Sequence, residues 1–424
     1  MEIKVFGCKV NKYYTNKWLN SSYLFGKTGV FVASCVVTDK AKRKWLKFVR
    51  DIIEKENFNK NEDKVFISGC GAFKSGKAQE DFFEVYPELK KYESFIVILG
   101  EDPDDNSLDI KKKEKIPIFS ESKISNFKLK NIYTKKFVLI QGGCDSFCTF
   151  CLTVIKRGRH FFRSKEDILE EILEFEKNGG KEVVLTGVNL SAWGLKTTND
   201  IKNSRFSELI EYLVLNTKIP RIRISSLGPE FIDDKCLEVF KNERIYPHFH
   251  YSVQSGSSSV LKSMKRHYDG EYIKRLLKKT KLIKRHDLVS VSIGADIIVG
   301  FPGETEKDFL ETLNLIKEVP VTKLHAFPFS AHDMGESVPA GSYENQISEK
   351  VKKDRMERIL ELGDIVRKDF INSQRGKEFK VLIENVRGDK WKGWTQNYIE
   401  CNQDNFLIKS GINKRNEIVT GILK

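Results

Sequence analysis

The sequence predicts an α/β protein built in three successive parts, and three observations carry that prediction. Over the first hundred residues, four short apolar runs alternate with stretches of helical periodicity. From Phe137 onward, strand and helix alternate six more times. From Gln374 to the end, the pattern changes to a β-type alternation broken by Gly376, Gly388, Gly393 and Gly411 as turns. Strand–helix alternation at this spacing implies parallel sheets. Six such units suggest an incomplete barrel, whose working residues lie at the carboxyl ends of its strands.

In the first part, strands are expected at 2–7, 30–34, 64–69 and 95–99, with helices at 11–22, 39–56 and 79–91. Three of these strands run into a cysteine: Cys8, Cys35 and Cys70. Ligands of parallel sheets sit outside the carboxyl ends of the strands, so the three thiols are expected to converge. A single free cysteine is ordinarily a small buried hydrophobe. Three in register point instead to a site for a metal cluster.

In the second part, strands are expected at 137–141, 183–187, 221–225, 250–254, 290–299 and 322–329, with amphipathic helices between them, such as 165–177 and 207–215. The first of these strands leads into Gly143-Cys144-Asp145-Ser146-Phe147-Cys148-Thr149-Phe150-Cys151. Three thiolates on one short loop can hold three irons of a four-iron cluster, leaving the fourth iron open to a small molecule. Zinc is the rival occupant, because it also takes closely spaced cysteines. A structural zinc site usually draws on two separated pairs, and no second pair follows here.

Bulk properties narrow the class. The chain has 424 residues, comfortable for two or three domains. Its formal net charge of +14 suits a polyanionic partner such as RNA. Met1-Glu2-Ile3-Lys4 runs directly into a strand, so no signal peptide is expected, and no stretch reads as a membrane span. A cytoplasmic location is expected. Eight cysteines in such a chain argue for metal or catalytic use over disulfides.

The C-x3-C-x2-C loop after a strand, opening a series of β/α units, resembles the radical S-adenosylmethionine enzymes. Two cysteine triads, one ahead of the barrel and one within it, resemble the methylthiotransferases of that group. Gly7-Cys8-Lys9-Val10-Asn11 is similar to the opening motif of the tRNA branch that acts on threonylcarbamoyladenosine. Ser34-Cys35-Val36-Val37-Thr38-Asp39 and Ser68-Gly69-Cys70 are similar to the second and third motifs. Asp296-Ile297-Ile298-Val299-Gly300-Phe301-Pro302-Gly303-Glu304-Thr305 is closely similar to the family segment whose apolar part packs near the adenine.

The resemblance implies a flavodoxin-like first domain at 1–105, a linker at 106–132, a partial (βα)6 radical core at 133–372, and a small TRAM-like RNA-binding β-barrel at 373–424. It implies two 4Fe-4S clusters, one on Cys144, Cys148 and Cys151 and an auxiliary one on Cys8, Cys35 and Cys70. It also implies S-adenosyl-L-methionine, held by strand-end residues. These are Thr186, Gly187 and Asn189 on the second strand, Ser225 and Ser226 on the third, Gln254 on the fourth and Ile298 on the fifth. The implied reaction is methylthiolation of C2 of N6-threonylcarbamoyladenosine next to the anticodon. The first-named cluster would cleave S-adenosylmethionine to a 5′-deoxyadenosyl radical, and the auxiliary cluster would deliver sulfur. An electron donor and a sulfur source are implied partners.

Arg157-Gly158-Arg159 matches an Arg-Gly-Arg segment of the family, and Arg157 and Arg159 are candidate substrate or RNA contacts. The tail carries ten Lys/Arg against six Asp/Glu, with Trp391, Trp394 and Tyr398. A basic β module with such aromatics suits RNA, and Gly393-Trp394-Thr395-Gln396-Asn397-Tyr398 is similar to the tRNA branch's version. Trp394 and Tyr398 are therefore candidate contacts to the anticodon stem-loop. His248, His250 and His325 read as packed or hydrogen-bonded strand residues. The alternatives are the isopentenyladenosine tRNA branch, the branch acting on a ribosomal-protein aspartate, and a non-catalytic iron–sulfur RNA-binding protein.

Overall fold

The computed structural model describes residues 1–104, 132–201, 204–332 and 336–424. The expected linker at 106–132 lies, save for Ile132, outside the described residues. The chain forms two compact units. One comprises Met1–Tyr133, Cys151–Arg159 and Ser330–Val338. The other comprises Thr134–Phe150, His160–Phe329 and Pro339–Lys424.

The first unit holds a four-stranded parallel sheet in the order Glu2–Val5, Gly29–Ser34, Lys64–Gly69, Ile96–Ile98. Its central strands are apolar on both faces because both faces are covered. Val30, Val32, Val65 and Ile67 pack with Trp45, Leu46 and Val49 of the helix Asp39–Ile53. Phe31, Ala33 and Phe66 pack on the other face with Trp18 and Leu24. Thr38 starts the Asp39–Ile53 helix by accepting from the Ala41 amide. The helix expected at 79–91 is instead split into Phe82–Val85 and a 3₁₀ stretch Pro87–Phe95. Pro87 explains the break: it lacks an N–H and disfavours helical geometry in the residue before it.

The second unit holds six parallel strands that neighbour one another in chain order: Lys136–Gly142, Glu182–Gly187, Arg221–Ile224, His248–Gln254, Ser292–Val299 and Val321–Pro328. The third continues into Ser226–Leu227, which carries the pairing to the fourth. Helices Lys165–Lys177, Phe206–Asn216, Gly270–Lys281 and Glu306–Glu318 lie between them. Each presents an apolar stripe at three- and four-residue spacing, as in Phe206, Leu209, Ile210 and Leu213, to one continuous core. Side-chain caps from Ser164, Asp269 and Thr305 set three of the helix starts.

After a long helix, Glu349–Gln374, the chain ends in a five-stranded antiparallel sheet. Its order is Glu400–Asn402, Lys390–Trp394, Glu378–Arg387, Ile418–Leu423, Phe406–Ser410. Phe379, Val381, Ile383, Trp391 and Phe406 fill its core. Among the described residues no helix is long and apolar enough to cross a membrane.

Candidate metal and cofactor site

In the first unit, Cys8, Cys35 and Cys70 follow three adjacent parallel strands. Gly7 and Gly69, each just before a cysteine, have φ of 98° and 88°, values that glycine tolerates and other residues rarely adopt. A side chain at Gly69 would also strike the Ser34 backbone. The two glycines thus turn the chain sharply just before Cys8 and Cys70. Burial pushes the Cys35 thiol up to about 12, and the nearby Cys70 and Cys8 add to the rise. Cys70 is likewise raised, by burial first. Two thiols raised by burial and by neighbouring sulfur, with the exposed Cys8 beside them, are suited to a polyvalent cationic partner.

The cation already present there is Arg157. Its guanidinium is buried, ion-pairs with Glu101, donates to Asn11 Oδ1 at 2.7 Å, and hydrogen-bonds Cys70, whose pKa it lowers. Asn11 in turn donates to the carbonyls of Phe6 (2.8 Å) and Ser34 (2.7 Å), tying together the chain ahead of Cys8 and Cys35. Arg157 therefore sits inside the first unit, beside the triad, while Arg159 is exposed. We expect Arg157→Gln to cost about 3 kcal/mol of stability, because it strands the buried Glu101 carboxylate. Thermal unfolding of the variant, with Arg157→Lys as the charge-preserving control, checks this.

In the C-x3-C-x2-C segment, each sulfur has its own donor. The Ser146 N–H donates to Cys144 Sγ (3.5 Å), Arg266 Nη1 donates to Cys148 Sγ (3.2 Å), and the Thr153 N–H donates to Cys151 Sγ (3.4 Å). Such donors are the ordinary surroundings of cluster ligands; at Cys144 burial still raises the thiol despite them. Phe147, between the first two cysteines, has φ of 48°, so the loop is held in a left-handed turn. Arg266 is itself fixed by Glu230 (3.4 Å) and the Tyr268 hydroxyl (2.9 Å). Sequence reasoning missed Arg266, Glu230 and Glu101: each acts through a long-range contact that no local spacing reveals.

Gln141 joins the root of this loop to the second strand's end. It is fully buried, donates to the Gly142 and Gly143 carbonyls, and accepts from the Val188 (3.0 Å) and Asn189 (2.8 Å) amides. At that strand end, Thr186 Oγ1 and Asn189 Oδ1 are buried without a hydrogen-bond partner, as is Glu230 Oε1 in the segment after the third strand. Orphaned buried polar atoms are costly. Their presence at strand carboxyl ends fits a ligand carrying amino and carboxylate groups, as S-adenosylmethionine does. Gln254 ends the fourth strand with φ of 70°, a strained conformation of the kind found at binding sites. Ser225 is buried; Ser226, Gly187 and Ile298 are partly open.

Trp394 and Tyr398 are half-buried. Tyr398 stacks on Trp394 and on His248, both at 4.5 Å between ring centroids. Arg367 donates to the Tyr398 carbonyl at 2.8 Å. The two aromatics thus pin the terminal sheet to the strands of the same unit.

Residues 138–316 match the model of the radical SAM superfamily. A threonylcarbamoyladenosine tRNA methylthiotransferase MtaB of Thermotoga maritima is 33 % identical over 405 residues, covering 91 % of this chain and 86 % of that protein. Its counterpart in Bacillus subtilis is 30 % identical over 429 residues, 93 % of this chain and 88 % of the relative. A tRNA-2-methylthio-N(6)-dimethylallyladenosine synthase of Desulforamulus reducens is 37 % identical, but over 252 residues, 59 % of this chain and 53 % of that protein. The similarity that runs through nearly the whole chain is therefore to one tRNA-modifying group, and the chain belongs to the radical S-adenosylmethionine superfamily and, within it, to the threonylcarbamoyladenosine tRNA methylthiotransferases.

Proposed function

We propose that this chain places a methylthio group on C2 of N6-threonylcarbamoyladenosine next to the anticodon of tRNA. The observation that carries the reading is the presence, on one chain similar to those enzymes over most of its length, of two triads of free cysteines. C2 of a purine has no acidic proton, so a radical route suits it better than acid–base catalysis. A bound 4Fe-4S cluster and S-adenosylmethionine supply the one-electron chemistry. The protein's part is positioning. Cys144, Cys148 and Cys151 hold the cluster of the radical site. Thr186, Asn189, Ser225, Ser226, Gln254, Gly187 and Ile298 hold the cofactor, and Arg266 fixes Cys148.

Cys8, Cys35 and Cys70 hold an auxiliary 4Fe-4S cluster that carries the sulfur, with Arg157 balancing its negative charge. The four-part division follows the family: a flavodoxin-like domain at 1–105, a linker, the radical core at 133–372 and a TRAM-like module at 373–424. The basic terminal module and exposed Arg159 meet the RNA backbone. Trp394 and Tyr398 first anchor that module, and they reach RNA through their open edges. A reductase, a sulfur source and a cytoplasmic setting complete the scheme.

Mass spectrometry of tRNA nucleosides from a deletion strain tests the reading. Loss of 2-methylthio-N6-threonylcarbamoyladenosine, restored by the wild-type gene, supports it. Loss of the isopentenyl counterpart or of a modified ribosomal-protein aspartate would assign the chain to another branch. No change in any of them would favour a non-catalytic iron–sulfur RNA-binding protein.

A further inference from the structure

In the second unit, three side chains meet on one face of three adjacent strands. In the register of those strands His250 lies beside Gly294, and Asp296 lies beside His325. Residues 294 and 296 share a face by the two-residue period of a strand, so His250, Asp296 and His325 all project to the same side. His250 Nε2 stands 2.9 Å from Asp296 Oδ1, and His325 Nδ1 stands 3.3 Å from the same oxygen. One donor atom from each residue lies within 4.8 Å of the other two. Around a first-row ion with ligand bonds of about 2.0–2.2 Å, neighbouring donor atoms stand roughly 3–3.5 Å apart, so little movement separates this arrangement from a coordinated one.

The local sequence builds this arrangement. A side chain at Gly294 would collide with the His250 ring at Nδ1, so glycine is what lets the imidazole lie across the neighbouring strand and reach Asp296. Beneath it, His248 Nδ1 meets Ser292 Oγ at 3.0 Å, and Ser292 Oγ meets Thr322 Oγ1 at 2.7 Å. That chain of bonds fixes the same three strands one step lower. Sites carried on strands are held more rigidly than sites on loops. Exposure grades across the set: the His250 side chain is 6 % exposed, Asp296 23 % and His325 46 %. One flank of the group is therefore open.

We propose that His250, Asp296 and His325 form a divalent-cation site, one ligand from each of three neighbouring strands, with its remaining coordination positions open. Two imidazoles and one carboxylate suit a borderline first-row ion, zinc or iron(II), over magnesium or calcium, which prefer all-oxygen shells. The site does not depend on the cysteine triads and stands whether or not the proposed reaction does.

The test uses the intact, anaerobically reconstituted protein with both triads loaded, so that cysteine sulfur does not compete. The protein is equilibrated with zinc, desalted and analysed for zinc and iron. We expect about one retained zinc per chain, with an X-ray absorption shell of nitrogen and oxygen at about 2.0–2.1 Å. Asp296→Asn and His325→Ala should each release that zinc with iron unchanged. Because His325 is half-exposed, its truncation removes little packing. Gly294→Ala, which keeps all three ligands, should weaken zinc retention by crowding His250. Equal zinc in wild type and variants, a sulfur shell at about 2.3 Å, or no retained zinc would overturn the proposal and leave a hydrogen-bonded trio.

Discussion

Cys148→Ala is expected to reduce the methylthiolated nucleoside in cellular tRNA to background while the protein still folds. Cys148 is nearly buried, but it is a small side chain, and its neighbour Arg266 keeps the Glu230 carboxylate and the Tyr268 hydroxyl when the sulfur is gone. The lost thiolate leaves two ligands on the segment, too few to hold a cluster with one open iron. On the two-cluster reading, iron should fall from about eight to about four per chain, with cleavage of S-adenosylmethionine abolished. Cys8→Ala should produce the same fall in iron with cofactor cleavage retained, because the triad on Cys144, Cys148 and Cys151 is untouched. Iron analysis, cofactor cleavage and tRNA nucleoside analysis of the two variants separate the roles. Unchanged tRNA modification in the Cys148 variant would sink the enzymatic reading.

The parts of this molecule legible in the sequence are those encoded by local period and spacing. Strand–helix alternation placed all six strands of the second unit to within two residues at either end. Strands that run into a cysteine put Cys8, Cys35 and Cys70 after three adjacent strands of one parallel sheet. What escaped is carried by contacts between distant residues. Arg157 read as a substrate or RNA contact, because Arg157-Gly158-Arg159 matches the family's Arg-Gly-Arg segment. The segment Cys151–Arg159 instead packs with the first unit, and there Arg157 meets Glu101 and Asn11. His250 and His325 read as packed or hydrogen-bonded strand residues, and Asp296 as the first residue of the segment similar to the family. Only strand register and the missing Cβ of Gly294 bring them together. Trp394 and Tyr398 looked like a stacking surface for bases. Tyr398 stacks on Trp394 and on His248, which lies 150 positions away. The split at Pro87 is legible from the proline alone, and the helix expected at 79–91 ran across it.

Glu182→Gln is expected to lower stability by about 3–5 kcal/mol, a fall in melting temperature on the order of 10 °C. Glu182 is fully buried at the start of the second strand. It accepts from Arg221 Nε at 2.6 Å and Arg223 Nε at 3.0 Å, with Lys135 Nζ at 3.9 Å. Both arginines are themselves buried. An amide of the same shape keeps the packing but leaves two desolvated guanidiniums facing one neutral group, and the cost of unpaired buried charge dominates. The effect reaches the terminal module. Arg221 donates onward to the Trp394 carbonyl at 3.0 Å, and Arg223 to the Thr395 and Gln396 carbonyls at 3.4 Å. Freed from Glu182, these side chains should hold the Trp394–Tyr398 turn less firmly, so tRNA affinity should fall while iron content stays constant. The pH dependence gives an independent check. Burial alone would raise the Glu182 carboxyl, but Arg223, Arg221 and Lys135 outweigh it and hold it well below the usual carboxylate range. A depressed folded-state value means that its stabilisation is complete above the ordinary glutamate value of about 4.3 and drains away as pH falls below it. The variant, with nothing to protonate there, should show a flatter loss of stability with acid. A wild-type acid slope retained in Glu182→Gln would place the acid-sensitive charge elsewhere.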